Sequence, residues 1–373
     1  MKLFNEKGKD VRIVKTEKLL FCLMLIVLGC LLFSTCIPKS NLNVKNTKSI
    51  MDMTGTFVMM PNEINRVFVE GGSATTLVLT LGAVDKVLVL HPNYDTKTFA
   101  WLNVICPQIK NIEKNDVPFN NVEALLQYEP DIVITIEKDN IEKYRNVGLP
   151  VIYVSLTDYE SCKQAMEILG SVLGEKELAA ALRYNDFLDE NLELTKLRLS
   201  GVNDVNKKSV YYMDSRFDDV YHTVGVGEIQ ETWIKLAGGK FATEDLSGRN
   251  LLITAEKILQ INPDIIFIGS GGMNSASIHK QMLTADTTLA NLTAVKNNDI
   301  VIMPRGIFSW CRTGPEFCMQ MVWAAKYLHP DKFEDIDIIK MAKNFYRTFY
   351  GSDISDKDIA QILAGEFPLN DDR

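Results

Sequence analysis

The sequence predicts an α/β protein made of two lobes of similar plan, bridged by one long helix. Two observations carry that prediction. The first is a weak internal repeat: residues 121–136 read NVEALLQYEPDIVITI and residues 254–269 read TAEKILQINPDIIFIG, identical at six of sixteen positions. Each copy reads as a short amphipathic helix stopped by proline, because the residue before proline is pushed out of the helical region. A continuous apolar run then follows, as expected of a strand buried on both faces of a parallel sheet. The second observation is the stretch Glu175 to Leu199, which contains neither Pro nor Gly. Leu178, Ala181, Leu182, Leu188, Leu192 and Leu199 fall on one stripe at the helical period. Such a helix is about 35 Å long, enough to reach from one lobe to the other. With 373 residues, 46% of them hydrophobic and 24% charged, the chain can bury two ordered cores.

The elements follow in order. Lys2, Lys7, Lys9, Arg12, Lys15 and Lys18 make a basic lead, and Leu19 to Phe33 form fifteen residues without a charge. Ser34-Thr35-Cys36 comes next. A basic region, an apolar run of that length and a small-residue site read as a secretory signal over residues 1–36. The small pair before Cys36 resembles a bacterial lipobox, in which the cysteine is lipidated; Cys30 is the second candidate. An uncleaved anchor helix is the alternative, and both readings place the body outside the cytoplasm at a membrane.

Residues 37–54 are polar and read as a flexible tether. Order is expected from about Thr56, with strands at Thr56–Met60 and Arg66–Glu70. The first lobe is assigned to residues 55–160 and ends in a strand from Pro150 to Val154. A linking helical segment covers 161–205. The second lobe, 206–373, includes a strand from Asp299 to Met303 and terminal helices after Asp337.

The formal charge is −8, with +3 in the first 35 residues, which leaves −11 for the rest. A body that acidic does not bind nucleic acid, which requires clustered Lys and Arg. Cys106, Cys162, Cys311 and Cys318 lack metal-ligand spacing; their pairing is not deducible, and buried thiols are the simplest reading.

Together these features resemble the substrate-binding lipoproteins of ABC importers for iron-siderophores, haem and cobalamin. The resemblance runs from about Asp52 to Gly365. It rests on Arg66-Val67, Leu81-Gly82-Ala83-Val84-Asp85-Lys86-Val87, both helix–Pro-Asp–strand units, Leu236-Ala237-Gly238-Gly239, and Ala294 to Ile300 leading to Trp310. It implies two Rossmann-like lobes joined by a single long helix, with the ligand cleft between them and little movement on binding. It also implies that Glu123 and Glu256, matched in the repeat, dock on arginines of the permease; charge-assisted pairs suit that role.

Ligands in open α/β sheets gather at the carboxyl ends of strands. That rule nominates Ser73, Tyr94 and Trp101 in the first lobe, and Arg216, Tyr221, His222, Met273, Trp310 and Arg312 in the second. Tyr and His can ligate iron, arginines pair with anionic oxygens, and tryptophans stack on planar ligands. The competing reading pairs Arg216 with Asp218 or Asp219. His279 and His329 read as exposed surface groups.

No Walker lysine follows Ser270-Gly271-Gly272, and no nucleophile elbow or HExxH is present. The chain therefore reads as a binding protein, not an enzyme. It has no permanent cofactor and is expected to be a monomer. Its partners are an ABC permease with its ATPase and, through the lipid anchor, a membrane. A ferric siderophore is the first choice of cargo, with haem, cobalamin or a nickel chelate as alternatives. The rivals are an exported metallocofactor-binding redox subunit, which would need Cys106 and Cys311 as ligands, and a scaffold lipoprotein.

Overall fold

The two Pro-Asp units fold as expected and show why the motif recurs. The computed structural model describes residues 46–271 and 276–368. In the first unit, Asn121 caps the helix Val122–Leu126 by accepting from the Ala124 N–H; in the second, Thr254 caps Ala255–Ile261 by accepting from Lys257 N–H. The residue before each proline, Glu129 and Asn262, turns left-handed at φ 45° and 42°. Each aspartate then clips the start of the neighbouring strand. Asp131 Oδ2 accepts from the amides of Asn65 and Arg66 at 2.8 and 2.9 Å, and Asp264 Oδ2 accepts from Ser209 N–H at 2.7 Å. The strands that follow, Ile132–Thr135 and Ile265–Ile268, are buried throughout and lie inside their sheets.

The first sheet places Ile132–Thr135 between Val67–Glu70 and Val151–Tyr153, all parallel. A parallel bridge from Val67 to Val87 extends it toward the short pair Val89–Leu90 and Glu113–Lys114. The second sheet is also parallel, in the order Lys240–Phe241, Ser209–Met213, Ile265–Ile268, Ile300–Ile302.

A helix spans Glu175–Leu199, as the sequence predicts. It packs against Tyr159–Leu173 on one side and Phe317–Leu328 on the other. Its inner face differs in detail from the predicted stripe. Leu182 is 49% exposed, while Tyr184, Asn185, Asn191 and Thr195 are buried. Most of these polar groups are satisfied: Tyr184 donates to the Pro315 carbonyl at 3.0 Å, Asn191 Nδ2 to the Cys318 carbonyl at 3.0 Å and Asn185 Nδ2 to Glu167 at 3.0 Å, whereas Asn185 Oδ1 has no partner among the described residues.

The expected tether is partly ordered. Thr47–Met51 forms an antiparallel hairpin with Phe57–Pro61, pairing Met51 with Phe57. Buried Asp52 holds the turn, accepting from Thr54 and Thr56 N–H, and Met53 N–H donates to the Tyr153 carbonyl. His279 and His329 are also corrected: both are buried, and their Nε2 atoms meet the carbonyls of Phe217 and Gly238. The four cysteines of the body are free and buried. Among the described residues no helix is long and apolar enough to cross a membrane. Cys36 and Cys30 lie outside the described residues.

Close approach of the helices Tyr159–Leu173 and Glu175–Leu199 depends on Gly170, where a Cβ would stand 2.7 Å from Leu178 Cα. Gly170→Ala should therefore cost about 1–3 kcal/mol through overpacking, read as a lower urea midpoint with unchanged m-value. Gly201→Ala, where a Cβ meets nothing within 4 Å, should leave the midpoint unmoved.

Candidate functional site

Strand ends and loops of both sheets enclose a cavity of about 330 Å³. From the first sheet come Ser73, at the start of the helix Gly72–Thr80, then Ile136 and Glu137 after the central strand, and Tyr153, Ser155, Leu156 and Thr157 at and beyond the end of the third. From the second come Arg216, Val224, Gly227 to Gln230, Arg249, Arg312 and Thr313. The lining is mainly polar, with three guanidinium groups from the second sheet's side.

These three arginines are held differently. Arg216 Nε donates to both carboxylate oxygens of Asp214 at 3.0 Å, and its Nη2 donates to Asp214 Oδ2 and to Asn250 Oδ1, each at 2.5 Å. The Asp214 hydrogen bonds are the main reason its pKa rises further above the ordinary value. The expected competitors Asp218 and Asp219 are not its partners. Asp214 is 2% exposed, so this pair is a rigid fixture of the wall. Arg249 is largely exposed and pairs with Glu228 at 3.0 Å. Arg312 is half-buried over the Phe308 ring, 5.7 Å from its centroid, and among the described residues it forms no ion pair.

Of the nominated residues, Ser73, Arg216 and Arg312 line the cavity. The aromatic nominations are corrected. Tyr94 stacks on Phe99 at 4.1 Å inside the first core, and Trp101 is 1% exposed, with Nε1 donating to the Glu366 carbonyl at 2.7 Å. Trp310 is fully buried. None of the three offers a face to a ligand. Tyr221 donates to Asp286 at 2.5 Å, a bond that pushes its phenol up to about 12, and His222 stacks on Phe217 while bonding Asp219 at 2.9 Å. These two lie outside the cavity lining, and Met273 lies outside the described residues. Glu123 and Glu256 are exposed in the first turns of their helices, where the helix dipole alone favours a carboxylate. Arg249, Glu228 and Gln230 also line the cavity and are not among the nominated residues; the only local sequence signal is the turn-rich Ser247-Gly248-Arg249-Asn250. Among the described residues no group of His, Cys, Asp and Glu could hold a metal ion.

Residues 71–305 match the periplasmic binding protein family. The chain belongs to that family. Its relatives include the molybdate-binding protein MolA of Haemophilus influenzae, 24% identical over 351 residues, covering 87% of this chain and 95% of the relative. The iron(3+)-hydroxamate-binding protein YxeB of Bacillus subtilis is 21% identical, over 52% of this chain and 61% of its own length. Among solved structures, a periplasmic solute binding protein from Veillonella parvula superposes with a TM-score of 0.74 at 24% identity, covering 85% of this chain and 97% of that one. MolA bound to molybdate superposes at 0.72 with 22% identity, covering 83% and 99%. The structural likenesses show the two-lobed fold, and the family match gives the chain the solute-binding character of periplasmic binding proteins.

If Trp101 is a core residue, Trp101→Phe should lose about 1 kcal/mol of stability with its hydrogen bond. Ligand affinity, measured by calorimetry, should stay within a factor of two.

Proposed function

We propose that the protein is the extracytoplasmic binding component of an ABC importer, tethered through Cys36, and that its cargo is a small oxyanion of the molybdate class. The cavity's three guanidinium groups carry this reading, Arg312 above all, since its charge has no carboxylate partner among the described residues. Guanidinium forks match anionic oxygens, and hydroxyl residues such as Ser73, Ser155 and Thr157 add neutral donors. At about 330 Å³ the cavity sits at the lower end of the range for organic ligands. It also lacks the tryptophan faces that a haem or corrinoid would use. The likeness to MolA supports the same choice. A ferric hydroxamate is the second reading, favoured by the likeness to YxeB and by Glu137, a wall carboxylate that a neutral trihydroxamate iron centre tolerates and a bare dianion would not choose.

Calorimetric titration with molybdate, tungstate, sulfate, a ferric hydroxamate and haem separates these readings. Saturable binding of molybdate and tungstate is expected, and Arg312→Ala should weaken it at least tenfold, about 1.4 kcal/mol. Binding confined to the ferric hydroxamate would transfer the assignment to the second reading. Binding of none would end both.

Docking through Glu123 and Glu256 is tested separately. The paired Glu123→Arg and Glu256→Arg variant should abolish cargo uptake by cells while leaving solution affinity intact. Normal uptake by that variant would remove the docking role.

A further inference from the structure

The segment from Pro304 to Pro315 brings Arg312 and Thr313 to the cavity, and a buried carboxylate holds its near end. Glu316 is 1% exposed. Its Oε1 accepts from the Ile307 N–H at 2.5 Å and from the Tyr346 hydroxyl at 3.0 Å, and its Oε2 accepts from the Phe308 N–H at 3.3 Å. A Cβ on Gly306 would collide with Glu316 Oε1 and the Tyr346 hydroxyl, so the loop backbone lies directly on the carboxylate. Glu316 also precedes the helix Phe317–Leu328 in the capping position, yet its side chain makes no capping bond there. Its acceptors are turned to the loop instead. Phe308, held by this carboxylate through its amide, carries the ring beneath the Arg312 guanidinium.

We infer that Glu316 is a positioning residue for ligand binding: by gripping the Ile307 and Phe308 amides it sets where Arg312 stands in the cavity. The inference rests on the reading of that cavity as an anion site. The side chain touches no ligand and acts only through the loop.

The grip is pH-dependent. Burial pushes the Glu316 carboxyl up to about 7, against the opposing pull of the amide and hydroxyl bonds. A raised carboxyl pKa means that the fold favours the proton. The associated stability is present below the unfolded value of 4.5 and is lost as pH rises through about 7. The ionised form thus costs stability: the amide and hydroxyl bonds offset only part of its burial penalty, so the loop is held more firmly below about pH 7 than above it. The titratable and charged groups on elements packed against it are Tyr346 and Tyr350 of the helix Ile338–Tyr350, Cys318 on its own helix, and Arg305, Cys311 and Arg312 on the loop. Burial holds Tyr346, Tyr350 and Cys318 well above their ordinary values, and Arg305, lowered to about 10, stays cationic near neutrality.

The test compares the wild-type protein with Glu316→Gln at pH 6 and pH 8. Amide hydrogen exchange of residues 304–316, corrected for intrinsic rates, is read without ligand, and molybdate affinity is read by calorimetry. In the wild type, loop protection and molybdate affinity should each fall at least fivefold from pH 6 to pH 8, as Glu316 ionises. In Glu316→Gln both ratios should fall to near one, with the fold intact by circular dichroism. A variant that keeps the wild-type ratios overturns the inference. If molybdate fails to bind wild type at either pH, the oxyanion reading fails while the exchange measurement still decides the role of Glu316. Should Glu316→Gln not fold, Tyr346→Phe serves instead. Removing the hydroxyl donor should move the pH midpoint of loop protection upward, and an unmoved midpoint overturns the inference.

Discussion

The packing of three helices, Tyr159–Leu173, Glu175–Leu199 and Phe317–Leu328, is the constraint on which the two sheets depend. The first pair closes through Gly170, and the third is tied in by Asn191, whose amide donates to the Cys318 carbonyl. Tyr159 stacks on Phe317 at 4.1 Å, with ring planes only 7° apart. A side-chain hydrogen bond in such a place gains little on average but costs the full desolvation of its partner if broken. The spine therefore resists partial loosening. Both sheets aim the carboxyl ends of their strands at the space beside it, and the position of the cavity follows from that arrangement.

Charge in the cavity is local and opposes the rest of the molecule. The body is strongly acidic, yet Arg216, Arg249 and Arg312 converge from the second sheet's side. At physiological ionic strength exposed charges are screened beyond about 8 Å, so an anion inside the cleft feels these groups more than the acidic surface. Buried Asp214 consumes much of the charge of Arg216 while fixing its direction. The site thus combines one oriented guanidinium, one with no carboxylate partner among the described residues, and one at the rim.

Elements defined by local chemistry were legible in the sequence, and orientations were not. The Pro-Asp units carry their own stop signal, cap and buried run, and the helix Glu175–Leu199 has no breaker inside it; both folded where periodicity put them. Trp101 and Trp310 sit in loops and short helices close to strand ends, which made them credible cleft residues. Whether such a side chain turns inward depends on a partner far away in sequence, as Trp101 does on the carbonyl of Glu366. The first strand of the hairpin, Thr47–Met51, is hidden in the expected tether for a related reason, whereas its partner reads as a strand. The Asn- and Lys-rich residues that lead into that first strand read as spacer, and its order comes from the strand it pairs with and from the distant strand at Tyr153. Arg249 belongs to the cavity only because the turn around Gly248 and Asn250 carries it there.

Contacts around the cavity also limit how it can respond to a ligand. Thr313 Oγ1 donates to the Leu156 carbonyl at 3.0 Å, joining the two walls at the cavity itself. Farther off, Thr80 meets the Tyr350 hydroxyl at 2.7 Å, and Trp101 is bonded to Glu366. Opening the lobes widely would break all three together and leave buried polar groups unpaired. A cleft so tied recognises its ligand by adjusting side chains more than by swinging lobes. Arg216 is fixed by Asp214 and Asn250, and Arg312 is steadied by Phe308. Arg249 is the exposed group, and its exchangeable pair with Glu228 leaves it free to follow the ligand. On the oxyanion reading, the two guanidinium groups held by the wall would set selectivity and the exposed one would add retention.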